Sequence, residues 1–207
     1  MKDYPEIFVL RHGQTEWNAE GRHQGQLDSP LTALGRRQAA DQGRILVRSV
    51  CDPVGISCYA SPQGRAWNTA GIALAAIGRA PLADDRLKEV SFGLWEGLTG
   101  DEICANWPGD QEITDPFHWH FTSLGGERLG DLRVRAQSFL DDLAGPTIIV
   151  THGILSRVLR VLRGLYLGLD TAGMAAIEGG QGMVYHLEDG TQTGQNPPSE
   201  PPEPHGT

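Results

Sequence analysis

Three short apolar runs rich in β-branched residues, IFVL at 7–10, ISCYAS at 56–61 and TIIVTH at 147–152, are separated by longer stretches of helical periodicity. That alternation limits the fold severely. Strands that are apolar on both faces must be covered on both faces, and the intervening helices are what covers them. LTALGRRQAADQGRILV follows Thr32, a good N-cap; PQGRAWNTAGIALAAI has Pro62 near its start; ILSRVLRVLRGLYLG keeps a strongly apolar face. The pattern predicts a three-layer α/β/α sandwich around a mainly parallel sheet. A further strand is expected at 82–87, and MVYHLED at 183–189 alternates in the manner of an edge strand.

Two segments break the rhythm. Residues 91–127 are rich in Gly, Pro and aromatics and are expected to form a small lid insertion, with TGDE at 99–102 opening a short helix as a capping box. The stretch TQTGQNPPSEPPEPHGT at 191–207 holds five prolines and no large apolar residue, which predicts a Pro-rich flexible tail outside the core. The expected organisation is a single catalytic domain over 1–190 followed by that tail. With 207 residues and 39% hydrophobic content, one core of ordinary size suffices.

A formal net charge of −9 opposes binding to nucleic acid or an anionic membrane, and no long basic run offsets it. Cys51, Cys58 and Cys104 form no CxxC pair, so reduced, packed thiols are expected rather than a disulfide framework or a zinc knuckle. The start MKDYPEIFVL is too short and charged for a signal peptide, and no apolar window approaches a membrane span, so a cytoplasmic protein is expected.

In open α/β sheets ligands bind beyond the carboxyl ends of strands. Arg11 and His12 follow the first apolar run, His152 and Gly153 follow TIIVT, and Arg65 enters the first turns of a helix after the second run. Two arginines and two histidines are thus expected around one anionic group. Guanidinium forks match phosphoryl oxygens, and a neutral imidazole can attack phosphorus. An alkoxide leaving from phosphorus needs a proton, and Glu89, at the start of the irregular segment, is the carboxyl group best placed to give it.

These residues, in LRHGQTEWN, GQLDSPLTALGRRQA, ASPQGRAWNTA, LKEVSFGLWEGLT, GGERLGDLRVR and VTHG, resemble the histidine phosphatase superfamily, also called phosphoglycerate mutase-like, in family order over about 7–190. The resemblance implies a phosphoglycerate mutase-like fold and a two-step phosphoryl transfer through phosphohistidine, with no metal and no cofactor. It implies His12 as nucleophile, Arg11, Arg65 and His152 as the phosphate pocket, and Glu89 as general acid and then base. Thr15, Asn18, Gln24, Gly25 and Gly153 match positions beside the phosphate. At GGER, Arg128 stands where many phosphatases of the family have Ser or Thr, and no role is carried over to it.

Bisphosphate-dependent mutases of this family have a Tyr-Arg-Arg stretch and a lid lysine, and this chain has neither. From Glu89 to Glu127 there is no Lys or Arg, while eight residues are Asp or Glu. A second anionic group is therefore expected to be poorly received, which favours hydrolysis of a small phosphorylated metabolite with an uncharged leaving group, ring-bearing ones among the candidates. The FGLWEG variant resembles the phosphatase branch, with α-ribazole phosphatases as one specific option. The alternatives are a phosphoglycerate mutase and a non-catalytic phosphoester-binding module, and a homodimer is left open. His118 and His120 flank Trp119 in a spacing that invites a metal reading, but no third ligand is near, so lid or surface histidines are expected. Trp95 and Trp119 are candidates for either pocket or core, and His23 for the pocket rim.

Overall fold

The computed structural model describes residues 5–108, 115–165, 174, 177, 179–188 and 191–196. It holds strands β1 (Ile7–Arg11), β2 (Ser57–Ala60), β3 (Leu82–Ala83), β4 (Thr147–Thr151), β5 (Val184–Glu188) and β6 (Thr191–Gln195). Its helices are α1 (Glu16–Ala19), α2 (Ala33–Ser49), α3 (Gly64–Ala75), α4 (Gly100–Asn106), α5 (Pro116–Trp119), α6 (Leu129–Asp141) and α7 (Gly153–Arg160). One sheet runs β3-β2-β4-β1-β5-β6; the first four of these strands are parallel, while β5 and β6 pair antiparallel.

The two-residue period of the strands divides the core in two. Phe8 and Leu10 of β1 join Ile148 and Val150 of β4 under α2 and α3, packing against Ile45, Leu46, Ala70 and Leu74. Ile7, Val9 and Ile149 face the other way, onto Leu132, Phe139, Leu155 and Val158 of α6 and α7. The lid rests on this second layer through Phe92, Trp95, Phe117 and Phe121, all buried. The α/β/α sandwich is thus the architecture found.

Local chemistry explains where elements begin. The Thr32 hydroxyl accepts from the Gly35 amide and opens α2; Thr99 and Glu102 form the expected capping box of α4. Three expectations are corrected. The strand at 82–87 shrinks to Leu82–Ala83, because the Asp84 side chain accepts from the Arg86 amide and caps a 3₁₀ turn at Asp85–Leu87. β5 is not an edge strand, because Thr191–Gln195 pairs along its outer side. The start of the expected tail is therefore sheet, held by a backbone ladder and by Gln192 and Gln195, which accept from Arg160 and the Ser49 hydroxyl; residues beyond 196 lie outside the described ones. Among the described residues, no helix is long and apolar enough to cross a membrane. The apolar stretch at 154–168 is α7 followed by a π-helical turn at Val161–Leu165, and 166–168 lie outside the described residues.

Candidate active site

Parallel β1 and β4 end side by side, with Arg11 opposite Thr151, so the next residues, His12 and His152, meet: their ring centroids are 5.2 Å apart. Both are buried. Desolvation, then the charges of Arg65 and Arg11, hold the His12 imidazole well below its ordinary 6.5. His152 is depressed likewise, by burial, Arg65, His12 and Arg11. Both rings are neutral at pH 7. His12 Nδ1 lies 2.8 Å from the carbonyl oxygen of Gly13. A carbonyl only accepts, so Nδ1 carries the proton and Nε2 keeps its lone pair. Gly13 is needed for closeness rather than for a tight turn, since a Cβ there would lie 2.2 Å from the Gly35 carbonyl oxygen.

His12 opens into a cleft of about 180 Å³. Arg11 and Arg65 line it beside His12. Arg11 is anchored by donating to the Gly179 carbonyl at 2.8 Å; Arg65 is anchored by the carbonyls of Leu27 and Gly25 and by Asp28 at 3.0 Å. The Nε of each is buried and has no partner. Both guanidinium pKa values are lowered, mainly by burial, yet an arginine stays charged. His152 sits behind His12 rather than on the cleft wall. Its Nε2 is 2.8 Å from the Ser61 hydroxyl, while its buried Nδ1 has no partner. A ring that accepts from Ser61 has an Nδ1 proton to give.

Glu89 lines the cleft, and its carboxylate accepts from the amides of Val90, Ile154 and Leu155, the last two in the first turn of α7. Its backbone is clamped by Gln63, whose Oε1 accepts from the Glu89 amide, and by Arg135, which donates to the carbonyls of Arg86, Lys88 and Glu89. The two neighbouring carboxylates are engaged elsewhere. Glu96 accepts from Gln26, Ser91 and Phe92, and Glu102 caps α4 while pairing with Arg22.

Asn18, Gln24, Gly25 and Gly153 also line the cleft, and Gln24 Oε1 is buried without a partner. Thr15 does not line it. Its buried hydroxyl accepts from the Asn18 amide and caps α1, which corrects the expectation of a substrate contact and makes Thr15 a support for Asn18. His23 lines the cleft, as one alternative held. Trp95 and Trp119 stack on each other, centroids 4.4 Å apart, and belong to the core and its margin. His118 is exposed on α5, so the strand that a His118–His120 metal pair needs does not exist. Among the described residues, the one group with metal-ligand geometry is Glu6, His186 and Glu188, at the opposite end of β1 from His12. Arg128 donates to the Phe121 carbonyl and ties the lid to the start of α6.

Five cleft residues escaped the sequence reading: Arg22, Phe92, His120, Ile154 and Arg157. The inference that a second anion would be poorly received rested on a lid without Lys or Arg. It is corrected here, because Arg22 and Arg157 reach the cleft from outside the lid. For Arg157 a signal existed, since it follows Gly153 by four residues and so shares its helix face.

The family model for the histidine phosphatase superfamily (branch 1) matches residues 7–195. The chain belongs to that superfamily. Within it, the chain is 35% identical to glucosyl-3-phosphoglycerate phosphatase of Mycolicibacterium vanbaalenii, covering 77% of this chain and 74% of that protein. It is 36% identical to the probable phosphoglycerate mutase GpmB of Enterobacter sp. (strain 638), covering 72% and 70%. Phosphoserine phosphatase 1 of Hydrogenobacter thermophilus is 29% identical over 74% of this chain and 73% of its own. Among solved structures, a mycobacterial glucosyl-3-phosphoglycerate phosphatase in complex with VO3 superposes with a TM-score of 0.75 at 31% identity, covering 89% of this chain and 92% of that one. Superfamily and relatives together mark a phosphoryl-transfer protein of phosphatase type, with mutases among its kin.

Proposed function

We propose that the protein hydrolyses small phosphoric monoesters through a phosphohistidine at His12, without a metal. The observation that carries this is the state of His12: a buried, neutral imidazole whose Nδ1 proton is committed to the Gly13 carbonyl, leaving a lone pair on Nε2, in a cleft that two anchored arginines also line. Arg11 and Arg65 gather the phosphoryl oxygens, and the buried His152 backs the ring of His12. Nε2 attacks phosphorus and the ester P–O bond breaks. Glu89 delivers a proton to the departing oxygen as that bond breaks. As carboxylate it then takes a proton from water while the water oxygen attacks phosphorus, and the N–P bond breaks to release phosphate and restore the imidazole.

Water as acceptor is supported by the sequence, in which the Tyr-Arg-Arg stretch of the bisphosphate-dependent mutases has no counterpart. A mutase reading is favoured by the relatives named phosphoglycerate mutase, and formation of 2-phosphoglycerate from 3-phosphoglycerate is the outcome that would establish it. With 4-nitrophenyl phosphate in EDTA, the wild type should retain full activity. His12→Ala should lower kcat at least about 10³-fold. Loss of wild-type activity in EDTA would overturn the metal-free mechanism.

A further inference from the structure

The cleft holds a cation that the phosphoryl group does not use. Arg157 lies about 6 Å beyond Gly153 along α7, at 1.5 Å per residue, and lines the same cleft, half-buried. Its Nε donates to the Ile177 carbonyl at 2.8 Å, and its guanidinium packs flat against Gly179, where a Cβ would meet Nε and Nη2 at 3.2 Å. Its direction is therefore fixed. Among the described residues no carboxylate pairs with it, and Glu89 is the acidic group whose charge it feels. Arg22, by contrast, is already paired with Glu20 and Glu102.

His120, on the lid, lines the same cleft, its Nδ1 buried and without a partner. Its ring is held against His23, Phe92, Phe117 and Trp119 at 5.4–6.4 Å between centroids. Burial, with His23 and Arg157 nearby, brings its pKa to about 4, so near neutral pH it is an uncharged ring with one N–H to give. An oriented guanidinium with spare donors and an unbonded imidazole in one cleft make an arrangement that lacks only its anion.

We propose that Arg157 and His120 form a second anion subsite, and that the preferred substrates are phosphomonoesters whose leaving group carries a carboxylate. A planar carboxylate matches the guanidinium fork and brings the single charge that one unpaired cation balances. A second phosphate would bring more charge than Arg157 neutralises, close to Glu89. This deepens the hydrolase reading and rests on it for the first site.

The probes are 3-phosphoglycerate and glycerol 3-phosphate, in which a hydroxymethyl group replaces the carboxylate. The wild type should favour 3-phosphoglycerate in kcat/KM by at least about tenfold, the worth of one charge-assisted pair. Arg157→Gln should reduce that ratio to near unity, Arg157→Lys should restore part of it, and His120→Phe, which keeps the ring packing, should lower it by a smaller factor. A ratio unchanged in Arg157→Gln would mean that Arg157 only braces the Ile177 carbonyl, and would overturn the proposal, as would a wild type with no carboxylate preference. Titration calorimetry on His12→Ala repeats the comparison without turnover. If 3-phosphoglycerate binds better there and Arg157→Gln in that background removes the preference, the subsite stands even if no phosphomonoester is hydrolysed, an outcome that would sink the hydrolase reading alone.

Discussion

At the scale of single residues, the site divides labour by protonation. His12 and His152 are kept neutral by burial and by the arginines beside them, and His12, its Nδ1 proton committed to the Gly13 carbonyl, keeps a lone pair on Nε2. Glu89 is placed by donors: three backbone amides converge on its carboxylate. Glu89→Gln sets an NH₂ group against at least one of those amides and removes the exchangeable proton. The loss should depend on the leaving group: about 10²–10⁴-fold in kcat for an alkyl phosphate, whose alkoxide needs the proton, and much less in the first step for 4-nitrophenyl phosphate. Equal losses in both first steps, measured as single-turnover rates, would remove Glu89 from the role of acid. His12 and His152 were legible in the sequence because each sits immediately after an apolar strand, and Arg65 because it enters a helix start. Arg157 and His120 were not, since helix α7 and the lid acquire a common wall only once the chain has folded. Thr15 was misjudged for a related reason, its hydroxyl being used by a four-residue helix too short to announce itself.

At the scale of elements, the loop after β1 is held by the packing of backbone on backbone. Gly13 and Gly35 face each other, and a Cβ at Gly35 would lie 2.0 Å from the carbonyl oxygen of Gln14. α2 therefore presses directly on the loop that aims His12. Gly35→Ala should push the two apart, costing about 1–3 kcal/mol of stability as overpacking, and should also lower kcat by misaiming Nε2. Urea denaturation and kinetics on the same preparation check both effects; a variant of unchanged stability and rate would show that the loop accommodates the methyl. The strand–helix alternation could be read in advance because β1 and β4 are buried on both faces. β3 and β6 could not: one is cut short by the Asp84 cap, and the other, without an apolar residue, joins the sheet through its backbone ladder and the polar side chains of Gln192 and Gln195.

Across the whole molecule, a formal charge of −9 surrounds a cleft lined by Arg11, Arg22, Arg65 and Arg157. Composition argues against polyanions as partners, yet it hid a local field that suits a small anion. Burying neutral histidines also ties stability to pH. For His12, His152 and His120 the folded value lies below the ordinary 6.5, so below that pH the unfolded chain binds more protons than the folded one. Stability should therefore fall as pH drops from 7.5 to 5.5, by about 1 kcal/mol for each of these histidines. Urea midpoints at the two values check this, and an equal or higher midpoint at pH 5.5 would contradict it.

The central claim, that His12 carries the phosphoryl group, is open to one direct measurement. Glu89→Gln mixed with 4-nitrophenyl phosphate and acid- or alkali-quenched on the millisecond scale should show a burst of nitrophenolate. A matching amount of protein-bound phosphate, acid-labile and alkali-stable, should map to the peptide containing His12. Phosphate on another residue, or nitrophenolate release in wild type and variant with no phosphoenzyme at any quench time, would contradict the account.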